Sequence, residues 1–579
     1  MSHKVVVALV LWAGMVACLP AAEGPSAGDY TPRPAGTVTF SKDIAKIVHH
    51  HCAPCHHEGQ SAPFNLVTFA DVSKRAKQIL EVTESRAMPP WLAEHGFGNF
   101  ANERRLTSQE LGLIRQWVTE GAAEGDSGMT PAAPEWPDGW LEGKPDLVVT
   151  MAKPYQLGPE GPDVYRNFVI RVPSDRDRHV RAVEFSPGNR RIVHHAFIRL
   201  DEEGSLWRME GKDGQPGFKD MIARAKMPGG QFLTWSPGGL PVVAPKGLAW
   251  RLPKNSDLVV QLHLHRTGKP ETIQSSVGLY FTDEVPTNTC YTFKLTSFAL
   301  NIPAGVTNEV VRDSFTLPVD LDLLAVFPHA HFLGKEMQGY ATLPDGTRQW
   351  LLWIKQWDFR WQGDYRYTKP VHLPKGTTLN LQFSYDNSTN NTSNPNHPPK
   401  RVFYGEGSND EMCELAFQVL TSRKEDLALL QDAVANHRRT LTADGFRQRV
   451  AFNPNDAEAL TRLGMTLWGE KRSQEAWEYF ERALKAQPDL AEAHYNKGVF
   501  LQFNDRVKEA RPEFETAVRL DPNYAKAHQQ LGFAFATLGQ FADAERSLKK
   551  ALELDPTDKI TREGLEELRQ RMRQNQPAK

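Results

Sequence analysis

The chain has 579 residues, too many for one hydrophobic core, so three or four domains are expected. Hydrophobic residues make up 40% and charged residues 24%, a balance that excludes a disordered or fibrous chain. The formal net charge of -2 gives no broad basic surface for nucleic acid or anionic membrane.

The chain begins with Lys4, a short apolar core Val5–Val16 and small residues after it, which reads as a secretory signal over residues 1–22. Met15-Val16-Ala17-Cys18 is an imperfect lipoprotein-type cleavage site, so a lipid anchor at Cys18 is the alternative fate of that cysteine. Export to the periplasm or cell envelope is expected, where disulfides are permitted. Of five cysteines, two fall in the motif below, which leaves Cys290 and Cys413 as an even pair for a disulfide.

Cys52-Ala53-Pro54-Cys55-His56 has the Cys-x-x-Cys-His spacing of c-type haem attachment. Two thiols add to the two vinyl groups of one porphyrin, and His56 then lies under the iron. No second Cys pair exists to make a zinc site instead. Met88, in a proline-stiffened loop Ala87-Met88-Pro89-Pro90-Trp91, is the expected second axial ligand, with His95 as its competitor. His49, His50, His51 and His57 read as a solvated cluster. Thr107-Ser108-Gln109-Glu110 opens a capped helix that closes the segment. Residues 36–124 resemble a small class I cytochrome c domain.

From residue 144 to about 420, short alternating apolar runs separated by Pro, Gly, Asp and Asn predict antiparallel β-structure. Four stretches carry chemistry. Arg191-Ile192-Val193-His194-His195 sets two histidines side by side on a strand, so one metal could take both only through a bulge, a twist or two different ring nitrogens. Asp257–His265 alternates Leu258, Val260, Leu262 and Leu264 with Val259, Gln261, His263 and His265. Phe327-Pro328-His329-Ala330-His331 projects two imidazoles to one face. Asn409-Asp410-Glu411-Met412-Cys413 ends a Gly-rich loop. Three histidines (His194, His195, His263) outline one metal site, and two histidines with a soft thioether (His329, His331, Met412) a second. The thioether argues for copper over zinc.

These four stretches, in this order, resemble the copper type II, ascorbate-dependent monooxygenases, the family of the peptidylglycine α-hydroxylating and dopamine β-monooxygenases. The pieces that carry the likeness are the His194-His195 pair, Pro245-Lys246-Gly247 leading to Gln261-Leu262-His263, His329-Ala330-His331-Phe332-Leu333-Gly334-Lys335, and Asp410-Glu411-Met412-Cys413. The resemblance implies two jelly-roll-like domains, 144–284 and 285–420, facing each other across a wet cleft. It implies an electron-storing copper on His194, His195 and His263, and an O2-binding copper on His329, His331 and Met412, the catalytic set. His265 has no counterpart and reads as a group behind the site or at the surface. The arginine expected two residues before the His-x-His pair is Phe327 here, and the asparagine and tyrosine expected after the methionine are Glu414 and Ala416. Those groups grip the carboxylate of a glycine-extended peptide, so a neutral or apolar substrate is expected instead.

In the tail, Pro454, Pro488, Pro522 and Pro556 recur every 34 residues, the tetratricopeptide period. Gly464, Gly498 and Gly532 allow close helix packing, and Phe480, Phe514 and Leu548 fill the core between helices. The expected order is a connecting helix at 424–450, then three repeats and a capping helix over 457–575. Pro512 should kink or shorten its helix. The concave face of such an array usually binds a protein or peptide.

The fold class expected is multidomain: an α-helical cytochrome c domain, two antiparallel β jelly-roll-like domains and an α-helical tetratricopeptide solenoid. The expected function is an exported copper monooxygenase that hydroxylates a C–H bond of a small substrate with O2. Two coppers and one covalent haem are its cofactors, and ascorbate or a redox protein is its electron donor. The rivals are a non-catalytic haem/copper redox or copper-binding protein docked in an envelope assembly through its repeats, and a zinc protein at the three-histidine site.

Overall fold

A computed structural model describes residues 30–574 apart from 59, 61, 102, 137–138, 162, 220–224, 406 and 408. The expected signal segment, 1–22, and Cys18 lie outside the described residues.

The first unit is helical. Helices Ala45–His51, Ala76–Glu84 and Ser108–Thr119 pack Phe40, Ile44, Val48, Val72, Ile79, Ile114 and Trp117 into one core. The predicted cap at Thr107 is formed: Thr107 accepts from the Glu110 N–H while Glu110 accepts from the Thr107 N–H. Glu110 also takes the His51 Nε2–H at 3.0 Å, and His49 bonds the Val67 carbonyl at 2.9 Å. These two histidines are therefore structural groups of the helix, not members of a solvated cluster.

The middle of the chain is β-rich, in open sheets. In its first half, strands Leu147–Thr150, Ser276–Thr282 and Arg178–Ser186 form one sheet with two short edge strands. Val164–Arg171, Asp257–Leu264, Val193–Asp201 and Thr234–Trp235 form the other. One core joins both sheets, and Leu258, Val260, Leu262 and Leu264 all enter it, as the alternation predicts. The second half repeats this plan. Tyr291–Thr296, Glu414–Thr421, Leu321–His329 and Tyr365–Leu373 pack through a shared core on Glu309–Thr316, Thr378–Tyr385, Gly334–Thr342 and Arg348–Ile354.

The expected Cys290–Cys413 disulfide is absent, and all four described cysteines are free. Register is the reason. The antiparallel ladder pairs Tyr291 with Val419 and Thr296 with Glu414. Cys290 and Cys413 therefore stand at opposite ends of it, roughly 20 Å apart at about 3.4 Å per residue.

The helical unit is fastened to the second β-half by main-chain bonds. Glu94 N–H donates to the Trp353 carbonyl at 2.7 Å, Ala101 N–H to Arg366 at 2.7 Å, and Thr368 N–H to Asn99 at 2.9 Å. Phe97 packs edge-on against Trp353 at 4.5 Å between centroids.

Two residues after the Glu414–Thr421 strand, helix Lys424–Phe452 begins. It lies on the β-core: His437 Nε2 reaches Asp313 at 3.0 Å, and a side chain at Gly445 would collide with the Phe298 carbonyl. Three helix pairs follow, Ala457–Gly469 with Ser473–Ala486, Ala491–Phe503 with Val507–Leu520, and Ala525–Thr537 with Phe541–Leu554, capped by Lys559–Gln574. Each helix glycine faces its predicted partner. A Cβ on Gly464 would meet Phe480 at 2.7 Å, on Gly498 Phe514 at 2.6 Å, and on Gly532 Leu548 at 2.7 Å. Pro512 does not shorten its helix, which runs 14 residues like its counterparts in the flanking repeats. It is the sixth residue, so its missing N–H forfeits the one bond to the Lys508 carbonyl, while Ala510, Phe514 and Ala517 around it stay buried in the core.

Candidate functional site

The outer faces of the Val193–Asp201 and Leu321–His329 sheets meet, and the histidine sets lie there. On the first sheet the ladder runs Val193↔Leu264 and then His195↔His263, so His194 is an extra residue in a bulge. That bulge is what lets neighbouring residues share one face. His194 Nδ1 and His195 Nδ1 come to 3.4 Å, and one ligand atom from each of His194, His195 and His263 lies within 4.8 Å of the others. Among the described residues, no other group of three His, Cys, Asp or Glu side chains gathers this closely.

Asp163 fixes the third ring. His263 Nε2 donates to Asp163 Oδ2 at 2.8 Å, so the lone pair falls on Nδ1, which is buried without a partner. Tyr165 stacks on the same ring at 4.2 Å. His265 shares Asp163 at 3.2 Å and points to solvent, as its lack of a counterpart predicts.

The residues fit a metal ion. Two imidazole nitrogens bound to one tetrahedral ion by bonds of about 2.0 Å stand roughly 3.3 Å apart, close to the 3.4 Å between His194 and His195. The orphaned Nδ1 of His263 would supply a third donor. Burial, and after it the neighbouring His263, holds His194 down to about 4; the same causes hold His195 well below its ordinary value. All three rings are therefore neutral near pH 7, as metal ligands must be.

A pH prediction follows. His194 has a folded value near 4 against 6.5 for a free ring. In chelator-stripped protein its contribution is complete above about pH 6.5 and is lost as pH falls through 4. Denaturant midpoints should decline over that window and recover part of the loss in His194→Gln. A flat profile would remove the claim that these rings are held neutral.

On the facing sheet, His329 Nδ1 donates to Gln362 Oε1 at 2.5 Å and His331 Nδ1 to the Asp410 carbonyl at 3.0 Å. The rings stand 5.2 Å apart, nearly perpendicular, with their lone pairs on Nε2. Met412 is buried and is tied to this pair through Glu411. The fully buried Glu411 carboxylate accepts from the backbone N–H of His331, from Leu333 at 2.9 Å and from Met412 at 2.8 Å. One side chain thus fastens the His-x-His turn to the methionine. Two imidazoles with a soft thioether would be a donor set that suits copper.

One loop, 355–364, touches both sets. Phe359 packs edge-on against His331 at 5.8 Å, Gln362 holds His329, and Trp361 lies 5.7 Å from His194. Asp364 reaches across to the Thr234 hydroxyl. Aromatic rings stand beside His195 where the two sheets meet. Phe197 packs on His195 at 5.1 Å, and Phe327 meets both Phe197 at 6.0 Å and Phe232 at 5.9 Å. An aromatic cluster therefore joins the two sheets at this point.

In the helical unit, His56 Nδ1 donates to the Phe64 carbonyl at 3.1 Å, leaving Nε2 as the lone-pair nitrogen. Burial pushes the Cys52 thiol up to about 12 and raises Cys55, and neither sulfur is in a disulfide. These groups fit covalent haem attachment. Gly238 approaches so closely that a Cβ there would stand 2.5 Å from Cys55 Sγ. Met88 lies half-buried on the loop after Ala76–Glu84, its N–H bonded to the Val82 carbonyl. His95 is engaged at the surface by Glu103 at 3.0 Å.

Sequence reasoning missed Asp163, Gln362, Trp361 and the role of Glu411. Only Glu411 had a local signal, being part of the Asp410–Cys413 motif.

Comparison with known proteins reaches the tail. A tetratricopeptide repeat family model matches residues 525–558, and another matches 427–491 and 461–525. The residues 427–491 match begins inside the Lys424–Phe452 helix, upstream of the expected first repeat. The C-terminal region is therefore a tetratricopeptide array, a fold associated with protein–protein interaction. No curated protein matches the chain. Among solved structures, the first TPR of Spaghetti (RPAP3) bound to the HSP90 peptide SRMEEVD is 22% identical, covers 20% of this chain and 92% of its own, and has a TM-score of 0.20. The MamA RS-1 ArsTM double mutant is 25% identical, covers 25% of this chain and 82% of its own, and has a TM-score of 0.22.

Proposed function

We propose that the chain is an exported copper monooxygenase that hydroxylates a C–H bond of a small substrate, with electrons entering through a c-type haem at Cys52, Cys55 and His56. The observation that supports this best is the pairing of unlike donor sets on apposed sheets. Three neutral imidazoles gather on one sheet, and a His-x-His pair is tied through Glu411 to Met412 on the other. Copper held by these sets would supply one-electron chemistry toward O2, and haem would supply the electrons. The overall change is R–H, O2, two electrons and two protons to R–OH and water.

The chain's residues have defined parts in this reading. Asp163 holds the His263 proton on Nε2, so Nδ1 is the donor. Gln362 and the Asp410 carbonyl do the corresponding work at Nδ1 of His329 and His331. Phe197 and Phe327 keep water from the space between the sets. Phe327 and Ala416 also occupy the places where an arginine and a tyrosine would grip a carboxylate, and they pack there with Phe232. Neither residue offers a cation to a carboxylate there, so a glycine-extended peptide is not the substrate this reading favours.

Two copper ions and one haem per chain are expected by metal analysis, with O2 uptake that depends on an added C–H substrate. In His263→Ala, reoxidation of the reduced haem by O2 should slow by about a hundredfold; reoxidation at the wild-type rate would sink the electron inlet. The second reading, a non-catalytic haem/copper redox protein docked through its repeats, is favoured by the tetratricopeptide matches. It predicts copper without substrate-dependent O2 uptake. Zinc in place of copper would overturn both.

A further inference from the structure

A cavity of about 700 Å³ lies between the helical unit and the His331 side of the second β-half. That volume lies within the range of sites that take small organic molecules, about 300–1,000 Å³. Its opposing walls belong to different units. One carries His331, Phe332, Trp357 and Phe359, and the other carries Arg86, Trp91 and Glu94 from the segment that leads through Met88. The walls are held in place by the main-chain bonds of Glu94 and Ala101 to the second β-half.

The charge in this cavity is uneven. Four cations line it, Arg86, Arg105, Lys355 and Arg360, against two carboxylates, Glu94 and Asp358. Each carboxylate is already taken, Glu94 by Arg105 at 2.7 Å and Asp358 by Arg360 at 2.7 Å. Among the described residues, Arg86 and Lys355 make no direct salt bridge, although Glu94 lies close enough to Arg86 to attract it. Arg86 is half-buried, with Nη1 on the Leu106 carbonyl at 2.8 Å, and its backbone sits in the left-handed region at φ 61°. A non-glycine residue keeps that conformation only when its surroundings fix it. The Lys355 ammonium lies 4.8 Å over the Trp353 ring. A lining with four cations to two carboxylates, and two of those cations without a direct ion pair, beside an aromatic wall describes an anion with a flat apolar body.

We propose that this cavity binds a small organic carboxylate with an aromatic body. Its anionic end meets Arg86 and Lys355, and its ring lies among Phe332, Trp357 and Phe359, so that its carbon chain reaches His331. The proposal rests on the oxygenase reading for the word substrate, but not for binding. It also revises the expected neutral substrate: the carboxylate grip missing at Phe327 is supplied from the opposite side, in part by the helical unit.

The test is titration of the intact, haem-loaded chain with phenylacetate, phenylacetamide and benzylamine, with and without copper, followed by tryptophan fluorescence and calorimetry. Phenylacetate should bind saturably, the amide about tenfold more weakly or worse, and the amine not at all. Arg86→Gln and Lys355→Gln should each bring the acid down to the level of the amide. Lys355 is exposed, so that variant keeps the test alive if Arg86→Gln fails to fold. Equal binding of acid and amide, preference for the amine, or unchanged affinity in Lys355→Gln would overturn the site. Acid that binds but is never hydroxylated would sink the oxygenase reading and leave the site standing. Hydroxylation of neutral compounds that phenylacetate neither binds against nor inhibits would do the reverse.

Discussion

Glu411→Gln should lower the unfolding free energy by about 2–4 kcal/mol and halve the copper content. Both carboxylate oxygens accept backbone N–H groups in a site with no water to replace them. Burial pushes this carboxyl up to about 8. Either protonation state still leaves an acceptor lone pair on each oxygen, whereas an amide nitrogen has none. The substitution therefore turns one acceptor into a donor facing other donors, at about 1–3 kcal/mol for each group left unpaired. The His331 and Met412 backbones would no longer share an anchor, so the metal lost should be the one at the His329 set. Denaturant unfolding and metal analysis check the two halves separately. A variant with wild-type stability and full metal would show that Glu411 does not brace the site.

Phe327→Ala should destabilise the protein by about 3 kcal/mol, near the low end for a Phe-to-Ala change because the ring is only partly buried. It removes the wedge between Phe197 and Phe232, so the β-halves should part where the histidine sets face each other. A shift in denaturant midpoint, with faster amide exchange in Val193–Asp201, is the expected signature. Phe327→Arg should not create affinity for a glycine-extended peptide, because the space is already occupied by aromatic rings. Tight peptide binding by that variant would mean the cleft is open after all.

The sequence patterns that carried through share a cause: they are periodic or set within one stretch of chain. Alternation at Leu258–His265 sets which side chains enter the core, and the 34-residue period sets Gly464 against Phe480. Two adjacent histidines called for a bulge, and the ladder has one at His194. What the sequence hid depends on pairing between distant segments. Asp163 meets His263 only because Val164–Arg171 lies beside Asp257–Leu264. The loop 355–364 reaches both histidine sets only because the two sheets face each other, which no local pattern encodes. The cysteine pair failed for the same reason, since counting thiols says nothing of strand register. Pro512 misled differently: it costs one backbone bond, and the buried Ala510, Phe514 and Ala517 keep the helix packed around it.

The two residues between the Glu414–Thr421 strand and the Lys424–Phe452 helix give the tail a mechanical meaning. Strand Glu414–Thr421 is clamped between two antiparallel neighbours, so drawing it out means shearing both ladders at once. The repeats beyond it touch chiefly their neighbours and can peel away one helix pair at a time. Tension applied by a partner gripping the array is therefore spent on the solenoid first. The repeats act as a fuse, yielding in steps while the strand that follows Met412 keeps its register.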